Sequence, residues 1–250
     1  MEVDAFSAIA GSYDDTFTDT SIGAVMRSAV WAHLGQVFWK GDRVLELNCG
    51  TGVDAAWLEA RGVHVIATDA APGMVEVAVK RGIDARVCRA EDIREFAEPL
   101  GPFDGALSNF GGLNCIDDLA EVASGLATAV RPGGVVVLCV MGPVVPWEWG
   151  WYLLHGRPDK AFRRLRTTAQ WRGLTIRYPP VGATTRTFAP WFEVRGSHAV
   201  GALVPPSYVE PVMRRHPRLL RRLDQWERRI QSWPVAVRLA DHYVLELVRR

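Results

Sequence analysis

Lysine is nearly absent: only Lys40, Lys80 and Lys160 occur among 29 basic residues, so arginine carries almost all the positive charge. The four cysteines, Cys49, Cys88, Cys115 and Cys139, lie far apart with no CxxC pair. They read as buried free thiols of a reducing cytoplasm rather than a disulfide framework. No apolar run approaches the ~18 residues of a membrane span. Met1–Asp4 lacks the basic and apolar regions of a secretory leader. No His/Cys/carboxylate set has metal-ligand spacing, and no Gly-x-Ser-x-Gly elbow marks a serine hydrolase. Repeats, low-complexity tracts and linkers are missing as well. What remains is an ordinary cytoplasmic globular chain of 250 residues, 48% apolar, expected to form one domain with insertions.

The net charge of +1 hides a division. Residues 1–140 hold 10 Lys+Arg against 20 Asp+Glu, and residues 141–250 hold 19 against 8. A basic second half can face an anionic substrate, a membrane surface or the acidic first half, or form a solvated surface.

The richest local pattern is Arg43–Val53, an apolar strand carrying Glu46 that runs into Asn48-Cys-Gly-Thr-Gly52. Helical periodicity follows over 54–60, then a second apolar strand, 63–68, ending on Asp69. Such a β-loop-α-β unit holds an adenosine-type cofactor. Before it, Phe6, Ile9, Ala10 and Tyr13, then Val25, Met26, Ala29, Val30 and Leu34, predict a helical cap over residues 1–40. After it, strands are expected at 85–88, 103–108 and 135–140, with helices opening at Pro72 and covering 116–130. This alternation argues for an α/β, Rossmann-like, mostly parallel sheet with helices on both faces. The regularity then stops. Trp147, Trp149 and Trp151 alternate as in a strand, either as a substrate-facing lid or as anchors of an insertion over 142–173. A strand at 174–178, a helix near 181–189, a strand at 192–204, basic amphipathic helices over 207–231 and a last strand at 243–248 complete the chain.

Gly50-Thr-Gly52-Val-Asp-Ala55 satisfies the G-x-G-x-x-[GA] dinucleotide pattern, so an NAD(P)-dependent oxidoreductase is one reading. Four features favour S-adenosylmethionine instead. Glu46 sits four residues before Gly50, where it suits an amino group and repels a pyrophosphate. Asp69 follows Gly52 by 17 residues, at the neighbouring strand tip, in reach of both ribose hydroxyls. Arg89-Ala-Glu-Asp92 follows the third strand, where adenine belongs, and Ser108–Asn114 follows the fourth, where a transfer pocket opens.

With these residues in view the chain resembles the class I S-adenosylmethionine-dependent methyltransferases, in the small-molecule branch that includes ubiquinone and menaquinone methyltransferases. The resemblance covers about residues 5–140 and the final strand, and rests on Tyr13-Asp14, Val44–Gly52, Asp69, Met74, Ala90-Glu91, Asn109–Gly111 and Arg131–Gly134. It implies a seven-stranded sheet whose last strand is antiparallel, with inserted helices in the C-terminal half. It also implies residue roles. Glu46 anchors the methionine end, Gly50 and Gly52 let the backbone approach, and Asp69 with Ala70 meets the ribose. Met74 packs on adenine beside an amide near Ala90 or Glu91. Asn109 and Phe110 face the methionine moiety, and Tyr13 folds over the donor. The family's first loop glycine is Asn48 here, and its usual Asp before Ala90 is Arg89.

Methyl transfer from a sulfonium is an in-line displacement that needs mainly proximity, alignment and a dry pocket. Tyr13, Asn114, Glu148 and His155 are the candidate bases for a hydroxyl or carbon acceptor. The aromatic insertion suits a flat or apolar small molecule. Arg163, Arg164, Arg166, Arg214, Arg215, Arg218, Arg221 and Arg222 suit an anionic group or anionic lipid heads, whereas nucleic acid and a metal ion are not expected. A non-catalytic cofactor-binding or membrane-associated protein on the same scaffold is the alternative.

Overall fold

A computed structural model of the chain describes residues 2–250, with side chains from Ala5 onward. Met1 and the side chains of residues 2–4, the stretch read above as lacking a leader pattern, lie outside the described residues. Helix α1 (Glu2–Ser7), the single turn α2 (Tyr13–Thr16) and the long α3 (Ser21–Val37) form the expected cap. Thr20 starts α3 by accepting a hydrogen bond from the Gly23 amide at 2.9 Å.

The first strands follow as the hydrophobic runs predict: β1 (Arg43–Leu47), β2 (His64–Asp69), β3 (Ala85–Val87), β4 (Phe103–Ser108) and β5 (Val130–Met141). Between them run α4 (Val53–Glu59), α5 (Pro72–Lys80), α6 (Ile93–Ala97) and α7 (Leu119–Ala129). After β5 come α8 (Pro146–Leu154), α9 (Pro158–Ala161), the hairpin β6 (Thr168–Trp171) and β7 (Leu174–Arg177), α10 (Val181–Phe188) and β8 (Phe192–Val200). The chain closes with α11 (Glu210–Met213), α12 (Pro217–Ile230), α13 (Pro234–Leu239) and β9 (His242–Arg249).

The seven-stranded sheet has the order β3-β2-β1-β4-β5-β9-β8. Strands β1 to β5 pair in parallel, and the last strand, β9, is antiparallel to both β5 and β8. The expected Rossmann-like sheet is therefore present. Its order reverses at β1 and β4, so the loops leaving their carboxyl ends diverge and open a crevice there.

Alternation along the strands builds a core on each face. Leu45, Leu47, Val136, Leu138, Tyr243 and Leu245 pack on one side with α6, α7 and α10. Val44, Val137, Cys139 and Val244 pack on the other with Met26, Val30 and Leu34 of α3 and with α4 and α5. Strands buried on both faces read as continuous apolar runs, which explains why β1 and β5 were so plain in the sequence.

The C-terminal half departs from expectation. Trp147, Trp149 and Trp151 lie on α8, a helix opened by Pro146 at its first turn, not on a strand. The indole N–H of Trp147 donates to the Leu203 carbonyl at 3.0 Å, and Trp149 lies 5.9 Å from the Phe162 ring. The three tryptophans anchor the insertion. Hairpin β6–β7 was half seen, since only its second strand is apolar enough to stand out.

The second insertion reaches back to the cap. Glu210 accepts from the Ser21 amide and hydroxyl at 2.9 and 2.7 Å and from the Ile22 amide at 2.9 Å, a remote cap on α3. Glu210→Ala is expected to lower unfolding free energy by about 1–2 kcal/mol in urea titration. Glu210→Gln, which keeps one acceptor oxygen, should recover part of that loss.

Candidate active site

One cavity of about 590 Å³ opens over the β1–β4 crevice, a size within the usual ~300–1,000 Å³ of small-molecule sites. Its cofactor side is built by the loops. Asn48 (φ 54°) and Gly50 (φ 55°) take left-handed backbone that lets the chain turn from β1 into α4. A Cβ on Gly50 would meet nothing within 4 Å, whereas one on Gly52 would sit 2.9 Å from the Ala78 Cβ. Gly50 thus leaves room for a ligand, and Gly52 lets the loop pack on α5. Asp69 locks this loop: it accepts from the Gly50 amide at 2.9 Å and the Ala71 amide at 2.8 Å. Burial nevertheless holds its carboxyl above the ordinary value, with those two amides pulling the other way.

Of the residues expected at the cofactor, Tyr13, Asn48, Gly50, Asp69, Ala70, Met74, Ala90, Glu91, Asn109 and Phe110 line this cavity. Arg89, in the place of the familiar Asp, lines it too and pairs with Glu91 at 2.9 Å. Gly52 and Glu46 do not line it. Glu46 is buried beneath the loop at 1% exposure, and its Oε2 has no hydrogen-bond partner. Burial, then the charge of Asp54, pushes its carboxyl well above the carboxylate range, with the Ala55 amide opposing. The Glu46 side chain therefore lies below the cavity wall, with Arg27 as its opposing charge.

Asn48 is accommodated by Gly112. A Cβ on Gly112 would stand 2.3 Å from the Asn48 Cβ, and all three of its nearest atoms would belong to Asn48. The Ser108 hydroxyl donates to Asn48 Oδ1 at 3.1 Å and holds it in place.

The sequence reading missed the floor. Arg27 of α3 and Asp54 of α4, both buried, line the cavity and form an ion pair at 2.5 Å. Asp54 also accepts from the Trp31 indole at 2.7 Å and from the Asn109 amide at 2.9 Å. Burial works against the Arg27 charge, and Asp54 more than offsets it. The Arg27 guanidinium stacks 4.9 Å from the Phe110 ring, and its Nε has no hydrogen-bond partner. Arg27 sits inside an apolar helix face, and a charge there is costly without a partner; that was the available signal.

The cap closes the cavity from above. Asp14 accepts from the Thr51 hydroxyl at 2.8 Å and pairs with Arg81 at 2.7 Å, while Phe6 meets Trp171 of the hairpin at 5.2 Å. Burial raises the Tyr13 phenol above its ordinary value; Arg27 opposes this, and Asp69, Asp54 and Asp14 reinforce it.

The opposite side of the cavity is aromatic. Met141, Trp171, Tyr178, Tyr208 and His242 line it together with Arg163 and Arg164. Arg164 is spent on structure, bonding Glu148 at 3.1 Å, Asp241 at 2.6 Å and the Gly142 and Asp241 carbonyls at 3.2 Å. Arg163 keeps a buried Nε with no hydrogen-bond partner. Arg166, Arg214, Arg215, Arg218, Arg221 and Arg222 are exposed and outside the cavity.

Three expected bases are corrected. Asn114 is fully buried outside the cavity lining, its amide donating to the Met141 and Arg177 carbonyls and accepting from the Met141 amide. Glu148 is buried under Arg163 and Arg164. His155 is exposed at the C-terminal end of α8, against Trp151 and outside the cavity lining. The imidazole that does line the cavity is His242, whose Nδ1 lies 2.9 Å from Asp241 Oδ2 and whose ring meets Phe110 edge-on at 5.5 Å.

Comparison with known proteins agrees with this geometry. Residues 44–134 match the family model of a methyltransferase domain. A demethylmenaquinone methyltransferase of Clavibacter sepedonicus is 32% identical over 146 residues, 56% of this chain and 58% of the relative. A ubiquinone biosynthesis O-methyltransferase of Xylella fastidiosa (strain 9a5c) is 35% identical over 100 residues, 38% of this chain and 39% of the relative. Each match thus spans only about half of the relative or less. The crystal structure of an S-adenosylmethionine-dependent methyltransferase from Mesorhizobium loti superposes with a TM-score of 0.59 at 20% identity, covering 91% of this chain and 99% of that one. Residues 44–134 thus match a methyltransferase domain, set on the sheet of methyltransferase structures. Besides the quinone methyltransferases, a malonyl-[acyl-carrier protein] O-methyltransferase of Serratia marcescens is 33% identical over 138 residues, 55% of this chain and 51% of the relative.

Two outcomes follow from the geometry. Gly112→Ala should destabilise by about 1–3 kcal/mol through overpacking, and Asn48→Gly in the same chain should restore most of the thermal stability, a coupling read by a double-mutant cycle. Burial would raise the Asp241 carboxyl, but Arg164 and His242 outweigh it and hold it well below the usual range. A depressed folded value gives stability above the unfolded value of ~3.9 and loses it as pH falls further. Urea titrations from neutral to strongly acid pH should show that loss in the native chain and a shallower one in Asp241→Asn.

Proposed function

We propose that this chain transfers a methyl group from S-adenosylmethionine to a small, flat acceptor of quinone or phenol type. The observation that carries the reading is one continuous cavity. It joins the β1 glycine loop and Asp69 to an aromatic chamber walled by Met141, Tyr178, Tyr208 and His242. The residues fit the donor: Gly50 leaves open space at the loop, Asp69 stands at the strand tip for a diol, and Met74 offers an apolar surface for adenine. Arg27, with its unpartnered Nε on the floor, suits a carboxylate, and Glu46 beneath it favours the ammonium of the same end. When bound, the donor supplies an electrophilic methyl on a sulfonium. The chain's part is to hold both partners in line and exclude water. His242 accepts the acceptor's proton, with the Asp241 carboxylate 2.9 Å from its Nδ1, and Arg163 orients an anionic or carbonyl oxygen. The names of most of the relatives support a quinone-like acceptor, and the two insertions, through Arg163, Trp171 and Tyr208, shape its chamber.

A membrane-surface contact fits an acceptor of this kind. The outer face of α12 presents Arg218, Arg221, Arg222 and Arg229 beside Leu219 at 45% and Trp226 at 58% exposure, a cationic and apolar margin suited to anionic lipid. Among the described residues, no helix is long and apolar enough to cross a membrane.

Calorimetric titration with S-adenosylhomocysteine is expected to give one site per chain, weakened about tenfold or more in Asp69→Ala, where the loop lock and the diol acceptor both go. Stabilisation by NADH in its place overturns the reading. With labelled donor and demethylated quinones, His242→Ala should lower kcat by roughly 100-fold or more while leaving S-adenosylhomocysteine affinity unchanged.

A further inference from the structure

Outside the cavity, where α3 crosses β8 and β9, three metal-binding groups converge: His33, His198 and Glu246. Their ligand atoms all lie within 4.8 Å of one another, and none of the three lines the cavity. The fold brings them together from positions far apart in sequence. Glu246 occupies the β9 face that carries Val244 toward α3, and His198 stands opposite Val244 in register. His33 lies on α3 beside Leu34, which packs in the same cluster.

An ordinary histidine–carboxylate hydrogen bond does not account for the cluster. His33 Nε2 is 3.0 Å from Glu246 Oε2, yet the two are out of line, and the nitrogen is buried with no hydrogen-bond partner. Glu246 is 6% exposed; Arg195, itself 63% exposed, pairs with its Oε1 at 3.0 Å, and its Oε2 faces the His33 imidazole. His198 Nδ1 is held by the Ser232 hydroxyl at 3.1 Å, the kind of outer contact that orients a ligating ring by its other nitrogen.

We propose that His33, His198 and Glu246 bind a divalent transition metal of the zinc type, with a fourth position open to water. Two imidazoles and one carboxylate suit zinc, and bonds of about 2 Å at tetrahedral angles set ligand atoms about 3.3 Å apart. The His33–Glu246 separation already has that scale, and the His198 ligand atom lies within 4.8 Å of both. The ion would fasten α3, which carries Arg27 and Trp31 of the cavity floor, to β8 and β9. The site stands independently of the methyl-transfer reading.

The full chain, stripped with chelator and titrated with zinc sulfate alone, is expected to take up one ion per molecule and to melt at higher temperature. Cobalt should give the visible bands of a tetrahedral nitrogen/oxygen site. His198→Ala, on a half-buried edge strand, and His33→Gln should each weaken zinc by roughly tenfold or more, with S-adenosylhomocysteine titration checking that the variants are folded. No uptake at micromolar zinc, uptake unchanged in both variants, or a thiolate-to-cobalt charge-transfer band would each overturn the site.

Discussion

The Asp54 carboxylate is the interaction on which the site depends. It is buried at the start of α4, and it gathers Arg27 and Trp31 from the cap helix and Asn109 from the tip of β4. Three segments that are distant in sequence are thereby held on one floor. A buried ion pair gains little net stability, because desolvation offsets most of its attraction. Its value is positional: with each partner bonded, few other arrangements of α3 against the β1 loop satisfy the same charges. Asp69 does for the loop what Asp54 does for the floor, by tying Gly50 and Ala71 to the tip of β2.

The rest of the cavity is arranged around that floor. The cap lies over it through Asp14, bonded to Thr51 and Arg81, so entry of a ligand is linked to the first turns of the chain. Beyond Phe110 the wall passes to the insertions, where Arg164 binds Glu148 and Asp241 into a buried network. That network sets the positions of Arg163 and His242 at the chamber's edge. The loops at the β1 and β4 tips build one side of the cavity, and the aromatic chamber is a separate construction on the same sheet, the way one fold comes to carry many sites.

How much of this was legible before any coordinates depends on the range of the interaction concerned. Strands β1 to β5 were plain because strands buried on both faces are written as unbroken apolar runs. The Gly50 turn and Asp69 were plain because a loop that admits a ligand must use glycine and end beside an acceptor. The tryptophans of 147–151 misled: spacing by two is a strand pattern, but Pro146 opens a helix, and each indole finds a different neighbour. Asn114, Glu148 and His155 looked available for catalysis only because their partners, Met141, Arg164 and Trp151, were not visible as partners. Arg27, Asp54 and His242 passed unnoticed for the converse reason, since each gains its meaning from a residue on another element.

By itself the sequence determined the sheet and its glycine loop, because these follow from local periodicity, backbone freedom and short spacing. Tertiary structure alone decided which charges share the floor, which imidazole reaches the cavity, and that His33, His198 and Glu246 meet beneath α3. Those are matters of distance between residues far apart in the chain, and no local pattern encodes them.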